Sequence, residues 1–285
     1  MDSIPPPDDS FYALTPEQSG FFKAQTGIQD DEELKQHVLH VQKKAYEFAP
    51  YPCIRFFGFL EFSMGKLPVY PQLLKIGRER EDAVFLDIAA CFGVDARRAV
   101  YDGFPAKNVI ISDIRPELLE MGHELFRTTP ATYPIHHFAA DAFDPAMLEV
   151  VSPAYETPST PRPDLNTLTS LNSLHGHVSA IYAGMFFHVF DEAQQQHLAH
   201  ALAGLLSPIP GSMIFGRHKG SSVKAIKSVT SIGSSGLMFY HSPDSWIEMW
   251  ENVFEKGMVD VQVELKTLPT VGGDLDLLDW SAIRL

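Results

Sequence analysis

The chain has 285 residues, 45% of them hydrophobic and 20% charged, enough to bury a sizeable core in one large domain or in a domain with an appendage. Its 20 Phe, 9 Tyr and 3 Trp exclude wholesale disorder. With 22 Lys and Arg against 36 Asp and Glu, the net charge of −14 repels phosphate backbones and anionic lipid, so neither nucleic acid nor a membrane is an expected partner.

The two cysteines, Cys53 and Cys91, have neither a disulfide-framework nor a zinc spacing. Residues 1–10, MDSIPPPDDS, lack the basic and apolar runs of a signal peptide, and no stretch reaches the ~18 apolar residues of a membrane span. A cytoplasmic protein with a disordered tip over residues 1–10 is expected.

Residues 11–80 read as helical. Thr15 stands before Pro16 with Gln18 three positions on, a capping-box spacing, and Asp30 caps a second helix. Leu34, Val38, Val41, Ala45 and Phe48 then recur at helical spacing. The aromatic stretch YPCIRFFGFLE, residues 51–61, fits a core or homodimer contact, the wall of an apolar pocket, or both.

From residue 83 strands and helices alternate. Residues 83–88, 109–114, 135–141, 178–184 and 212–216 read as buried strands. Residues 94–101, the stretch opened by Pro116, residues 144–151 and residues 191–206 read as helices. The Pro-, Ser-, Thr- and Asn-rich residues 152–176 read as a surface insertion. Such alternation predicts a doubly wound parallel sheet. Residues 244–256 form a helix closed by Gly257, followed by strands at 259–268 and 277–285. Two successive strands with no crossover between them pair antiparallel. The expected fold is α/β: a mostly parallel, Rossmann-like sheet with a C-terminal antiparallel hairpin and an N-terminal helical cover.

Ligands of such sheets bind beyond the strand C-termini. The first strand leads into Asp87-Ile-Ala89-Ala-Cys91-Phe-Gly93, an acid followed by small residues at alternate positions. Two of the three glycines of a pyrophosphate-binding loop are absent. Asp113, 26 residues beyond Asp87, ends the second strand, where a carboxylate either accepts both hydroxyls of a ribose or caps the next helix. Asp141 ends the third strand, placed to take an adenine amino proton, and Phe143 to flank the ring, while Asp144 reads as a helix cap.

These three acids at successive strand ends, in FLDIAACFG, VIISDI and AADAFD, resemble the class I S-adenosylmethionine-dependent methyltransferases. The segments AGMFFHVF and LLSPIPGSMIFG and the antiparallel tail extend the resemblance over residues 80–285. Ala89 and Cys91 depart from it, standing where that family has glycine. The resemblance implies a domain at 81–285 that binds S-adenosylmethionine through Asp87, Ala89, Cys91, Gly93, Asp113, Ile114, Asp141, Ala142, Phe143 and Gly184. The segments LTPEQSGFFKAQTGI and FYHSPDSWIEMWENVF are similar to fungal secondary-metabolism methyltransferases, some of which methylate carboxyl groups of terpenoid–polyketide hybrids. That likeness implies that residues 11–80 cover the substrate or build an oligomer contact.

Methyl transfer from a sulfonium to an oxygen is an in-line displacement that needs aligned reactants, exclusion of water and, for a phenol, a base. Histidine is the natural base. Of the 12 histidines, two are catalytic candidates by place: His188, just past the fourth strand, and His241, between the fifth strand and the next helix. Packing or capping is the alternative for each. Residues 220–236 combine Gly and Ser with Val223, Ile226 and Val229, as a lid or as an ordinary surface helix, within an insertion at 220–243. Arg55 and Arg217 are candidates for pairing with a substrate carboxylate, and Phe56, Phe57, Phe187 and Tyr240 for its apolar part. The expected function is O-methylation of a carboxyl or phenol on an apolar small molecule. The alternatives are a methyltransferase-fold binding or regulatory subunit, a cofactor-assisted cyclase, and an NAD(P)-dependent oxidoreductase, the last disfavoured by the missing glycines and the antiparallel tail.

Overall fold

Short aliphatic runs buried on both faces build the centre of the protein, as parallel strands require. The computed structural model describes residues 5–133, 135–231, 234–270 and 273–285. The strands there are β1 (Val84–Ile88), β2 (Val109–Asp113), β3 (His136–Ala139), β4 (Val178–Gly184), β5 (Met213–Lys219), β6 (Ala225–Ser231), β7 (Ser234–Tyr240), β8 (Val259–Thr270) and β9 (Gly273–Arg284). Seven of them form one sheet in the order β3-β2-β1-β4-β5-β9-β8, parallel up to β5 and antiparallel across β9 and β8. Chain order reverses between β1 and β4, which opens a crevice beyond their C-terminal ends.

Helices cover both faces. α1 (Pro16–Thr26) opens with the expected capping box, and Asp30 accepts from Glu32 N and Glu33 N to start α2 (Asp31–Phe48). After α3 (Pro52–Arg55) and α4 (Tyr70–Glu79) come α5 (Val94–Tyr101) and α6 (Pro116–Leu125) from the first two crossovers. α7 (Glu192–Leu205) follows β4, and α8 (Pro243–Val253) precedes β8. Among the described residues no helix is long and apolar enough to cross a membrane.

The cover is fastened by aromatic packing. Phe21, Phe22, Val38, Val41, Phe59 and Phe62 share one buried cluster with Phe92, Leu118, Met121 and Phe126 of the sheet domain. Phe22 stacks on Phe126 at 5.6 Å. Each ring buried this way stabilises the cover by about 1.5–3 kcal/mol.

Four sequence expectations differ from the structure. Residues 144–151 make turns rather than a helix, because the insertion takes their backbone groups. Asn172 Nδ2 donates to Pro145 O and Ala146 O, Glu149 N donates to Asn172 Oδ1, and Leu171 N donates to Met147 O. The insertion at 152–176 is correspondingly more than surface: Leu165, Leu168, Leu171 and Leu174 are all in the core. Ala225–Ser231 and Ser234–Tyr240 pair as the β6–β7 hairpin, which replaces the surface-helix alternative, and Val223 and Ile226 of the supposed helical stripe are exposed. At the N-terminus, residues 1–4 lie outside the described residues, as do 232–233 of the hairpin. Pro5 and Pro6 carbonyls accept hydrogen bonds from Tyr46 and Arg55, and Asp9–Phe11 makes one 3-10 turn, so this part of the expected disordered tip is pinned to the cover.

Gly216 of β5 pairs with Ala183 on one side and Trp280 on the other. A Cβ there would collide with the Ala183 carbonyl and come within 3.1 Å of Trp280 Cζ2. Gly216→Ala is therefore expected to destabilise the sheet by about 1–3 kcal/mol, lowering the midpoint of a thermal melt by several degrees; an unchanged midpoint would contradict this packing.

Candidate active site

The loop after β1 supplies the first wall. Ala89 and Cys91 hold left-handed φ of 57° and 52°, and Gly93 follows at 69°. This is the conformation glycine adopts without strain, so the chain keeps the turn of a glycine-rich loop at two non-glycine positions. Asp113 at the end of β2 holds the turn in place. Its Oδ2 accepts from Cys91 N at 2.8 Å and its Oδ1 from Arg115 N at 2.9 Å. Ile114 beside it is exposed.

Asp87 lies at the end of β1, level with Tyr182 of β4. Burial pushes its carboxyl well above the usual range; the charges of Asp95 and Asp113 add to this, and an N–H bond from Ala96 opposes it. Burial likewise raises Asp113, against the pull of its backbone donors. Among the described residues neither Asp87 nor Asp113 forms an ion pair. The crevice therefore gathers buried carboxyl groups that hold their protons tightly until a positive charge arrives to stabilise their ionised form. A pyrophosphate would be repelled here, whereas a nucleoside carrying a sulfonium and an ammonium group is attracted. The open left-handed loop, the Asp113 carboxyl and the neighbouring buried acids together fit S-adenosylmethionine.

Tyr182 and Asp95 were not found from the sequence. Gly184 makes room for the tyrosine, since a Cβ there would lie 2.5 Å from Tyr182 Oη. The phenol hydrogen-bonds to Asp95 of α5, whose Oδ1 also accepts from Met64 N of the cover at 3.1 Å. Burial raises Asp95 to about 7. The cover touches the cofactor loops elsewhere too. Tyr51 stands beside the Arg115 side chain, the free Cys53 and Cys91 thiols are neighbours, and Phe59 meets Phe92 edge-on at 4.8 Å. The one sequence clue to Asp95 was its place two residues after Gly93.

The third strand contributes less than expected. Asp141 is exposed, with Oδ1 closing a turn onto Phe143 N, and Ala142 is buried in the core. Phe143 packs on Phe190 at 4.8 Å and stacks on His197 at 5.5 Å.

Past the end of β4, His188 sits in a one-turn helix, Phe187–Val189, four residues beyond Gly184. His241 follows β7, and its Nδ1 lies 2.8 Å from Ser245 Oγ. Burial lowers His188 to about 3, helped by Lys219, and lowers His241 to about 4. Both rings are therefore neutral at physiological pH. Phe187 is fully buried against Trp246 and Trp280, and Tyr240 is buried beneath Lys227.

Neither arginine is free for a substrate carboxylate. Arg217 grips Asp279 through Nε at 2.5 Å and Nη2 at 2.7 Å. Arg55 donates to Pro6 O and lies over the Phe11 and Phe56 rings. Phe56 also meets Phe11 edge-on, and Phe57, at φ 56°, is buried against Tyr12 and Phe59, so these two rings pack inside the cover.

Comparison with known proteins decides the family. Residues 9–60 match the model described as the meroterpenoid methyltransferase N-terminal domain. Methyltransferase adrK of Penicillium roqueforti is 31% identical over 233 residues, 82% of this chain and 74% of the relative. The chain belongs to this family of fungal methyltransferases. The Asnovolin E/Chermesin D methyltransferase nvfJ of Aspergillus novofumigatus is 33% identical over 221 residues, 78% of this chain and 70% of the relative. In fold, the chain is similar to the Burkholderia thailandensis 1,6-didemethyltoxoflavin-N1-methyltransferase, solved with 1,6-didemethyltoxoflavin and S-adenosylhomocysteine bound. The TM-score is 0.50 at 10% identity, over 90% of this chain and 91% of the other. This methyltransferase thus has the Rossmann-like fold of the S-adenosylmethionine-dependent enzymes, with the N-terminal block of the fungal family as its cover.

Asp95 gives the site a pH signature. Its folded value of about 7 exceeds the ordinary 3.8, so the folded protein keeps a proton that the unfolded chain releases between those values. Stability therefore falls as pH rises through this window and levels off above about 7. Asp95→Asn lacks this titration. Relative to wild type it should gain up to ~1.4 kcal/mol per pH unit between pH 5 and 7, read from denaturant melts at each pH; a pH-independent difference would refute the assignment.

Proposed function

We propose that this S-adenosylmethionine-dependent methyltransferase is an O-methyltransferase for an apolar small molecule, acting on a carboxyl or phenolic oxygen, with the carboxyl favoured. The observation that carries the cofactor assignment is the cluster of buried carboxyl groups of Asp87, Asp95 and Asp113, joined to the left-handed loop Ala89–Gly93. When bound, S-adenosylmethionine supplies a methyl group already activated on a sulfonium.

The chain's own residues then have separable tasks. Asp113 accepts the ribose hydroxyls with the lone pairs that Cys91 N and Arg115 N leave free. Asp87 and Asp95 hold positive charge near the ends of β1 and α5. Ala89, Cys91, Gly93 and Gly184 let a ligand approach the backbone. Ile114 and Phe143 are placed to flank an adenine, with Asp141 and the Ala142 backbone at its edge. Phe187 and Tyr240 pack behind the acceptor region and keep water out. The cover, with Arg55, Phe56 and Phe57 packed inside it, closes the crevice from above and supports that wall.

The state of the histidines favours the carboxyl. A base with a value near 3 or 4 is a poor acceptor for a phenol proton at neutral pH. His188 and His241 are better suited to hold an oxygen by hydrogen bonding, and a carboxylate is already a nucleophile without a base. The nvfJ and adrK relatives are consistent with an acceptor from fungal secondary metabolism.

Calorimetry should show binding of S-adenosylmethionine and S-adenosylhomocysteine and none of NAD. Asp113→Ala should weaken S-adenosylmethionine by about 10–100-fold, the loss of 1.5–3 kcal/mol in charged hydrogen bonds. Equal binding by the variant would remove Asp113 from the ribose site. With aromatic and terpenoid acids as acceptors and mass spectrometry as readout, methyl ester should form at a single-turnover rate that is flat from pH 6 to 8. A rate that climbs with pH, with phenols as the better acceptors, would instead point to base catalysis.

A further inference from the structure

Three buried histidines, not two, lie beside the ends of β4 and β5. His218 on β5 is only 1% exposed, against 5% for His188 and 3% for His241. Its ring centre lies 4.3 Å from that of Trp246, and the His241 ring lies 5.2 Å from the same indole. Phe187, Trp250 and Trp280 complete the aromatic surround.

His218 is singled out by how it is held. Trp280 Nε1 donates to its Nδ1 at 3.0 Å. An indole N–H can only donate, so Nδ1 is the acceptor and the proton of the neutral ring is on Nε2. The geometry is built in: Gly216, opposite Trp280 in the sheet, leaves the space in which the indole crosses β5. Burial keeps the ring neutral, and the neighbouring His188 and His241 reinforce this.

Several polar atoms of this buried cluster are unmatched. His218 Nε2, His188 Nδ1, His241 Nε2 and Trp246 Nε1 are all buried without a hydrogen-bond partner. Buried polar atoms left in that state are costly, and with Trp250 Nε1 there are five in one cluster, which calls for a ligand that satisfies them. Three of these, His218 Nε2–H and the Trp246 and Trp250 indoles, are fixed donors, so the matching group is an oxygen with lone pairs. Among the described residues no set of three His, Cys, Asp or Glu side chains is disposed to hold a metal ion.

We propose that His218 is a further acceptor-binding residue: locked by Trp280 as the Nε2–H tautomer, it donates to an oxygen of the methyl acceptor beside His188 and His241. This rests on the methyltransferase reading and deepens it. The β6–β7 hairpin packs onto the cluster, and Gln195 Nε2, donating to both Phe190 O and Phe239 O, ties it to the turn that carries His188. The acceptor's oxygen thus enters a site walled by aromatic rings, where one correctly oriented donor discriminates strongly between a polar and an apolar group.

The test uses full-length protein labelled with 15N-histidine, with 4-tert-butylbenzoate as the probe and S-adenosylhomocysteine present. Wild type should show His218 as the Nε2–H tautomer, and Trp280→Phe should give a mixture of tautomers. The probe should shift the His218 Nε2–H resonance. His218→Phe, which keeps a ring but loses the donor, should bind the probe about tenfold more weakly, while His218→Gln, which keeps a donor, should stay within about threefold of wild type. S-adenosylhomocysteine affinity should be the same in both variants. An unmoved His218 resonance in wild type at saturating probe, or full probe affinity in His218→Phe, overturns the proposal. Glutamine and phenylalanine variants equally impaired would also overturn it, because the donor would then not be what matters. Failure of wild type to bind S-adenosylhomocysteine counts against the methyltransferase reading alone, since the probe titration can be repeated without it.

Discussion

The carboxylate of Asp113 accepting the Cys91 N–H at 2.8 Å is the contact on which the site depends. It joins the end of β2 to the turn between β1 and α5, and so fixes a loop whose Ala89 and Cys91 adopt a conformation costly to any residue but glycine. α5 then starts where Asp95 meets Tyr182 below and Met64 N of the cover above. A single pinned turn therefore aligns the strand ends, the crossover helix and the N-terminal cover around one crevice.

Charge is distributed to match. Arg217 and Lys266 are both bound to Asp279, at the β5–β9–β8 side of the sheet, which leaves Asp87 and Asp113 without ion-pair partners among the described residues. Two buried acids that raise each other's proton affinity are unfavourable in isolation. They are the expected arrangement where a ligand brings compensating positive charge. The buried acids Asp87, Asp95 and Asp113 and the neutral, aromatic cluster around His188, His218 and His241 thus form two chemically distinct environments near the strand ends.

The cover contributes more than its aromatic content suggested. Phe56, Phe57 and Arg55 are spent on its internal packing, while its functional contacts come from Tyr51, Cys53, Phe59 and the Met64 backbone. The aromatic stretch was visible in sequence as a wall, but which side of it faced the crevice was not. Consecutive residues on short one-turn helices point in directions that neither a strand nor a helix period describes.

The sequence by itself determined the parallel sheet and its antiparallel edge. Buried strands such as β1 and β4 need unbroken aliphatic runs, and the caps at Thr15 and Asp30 are local hydrogen bonds between near neighbours. It also placed Asp87, Asp113 and Gly93, because strand ends can be counted along the chain. Tertiary structure alone decided what depended on distant partners. Asn172 turned residues 144–151 away from helix by taking their carbonyls. Asp279 claimed Arg217, and burial stripped His188 and His241 of basicity. Tyr182, Asp95 and His218 acquired meaning from strands and a helix brought together across the sheet. Local propensity records neighbours in sequence, whereas the proton affinity and hydrogen bonds of a buried group are set by neighbours in space.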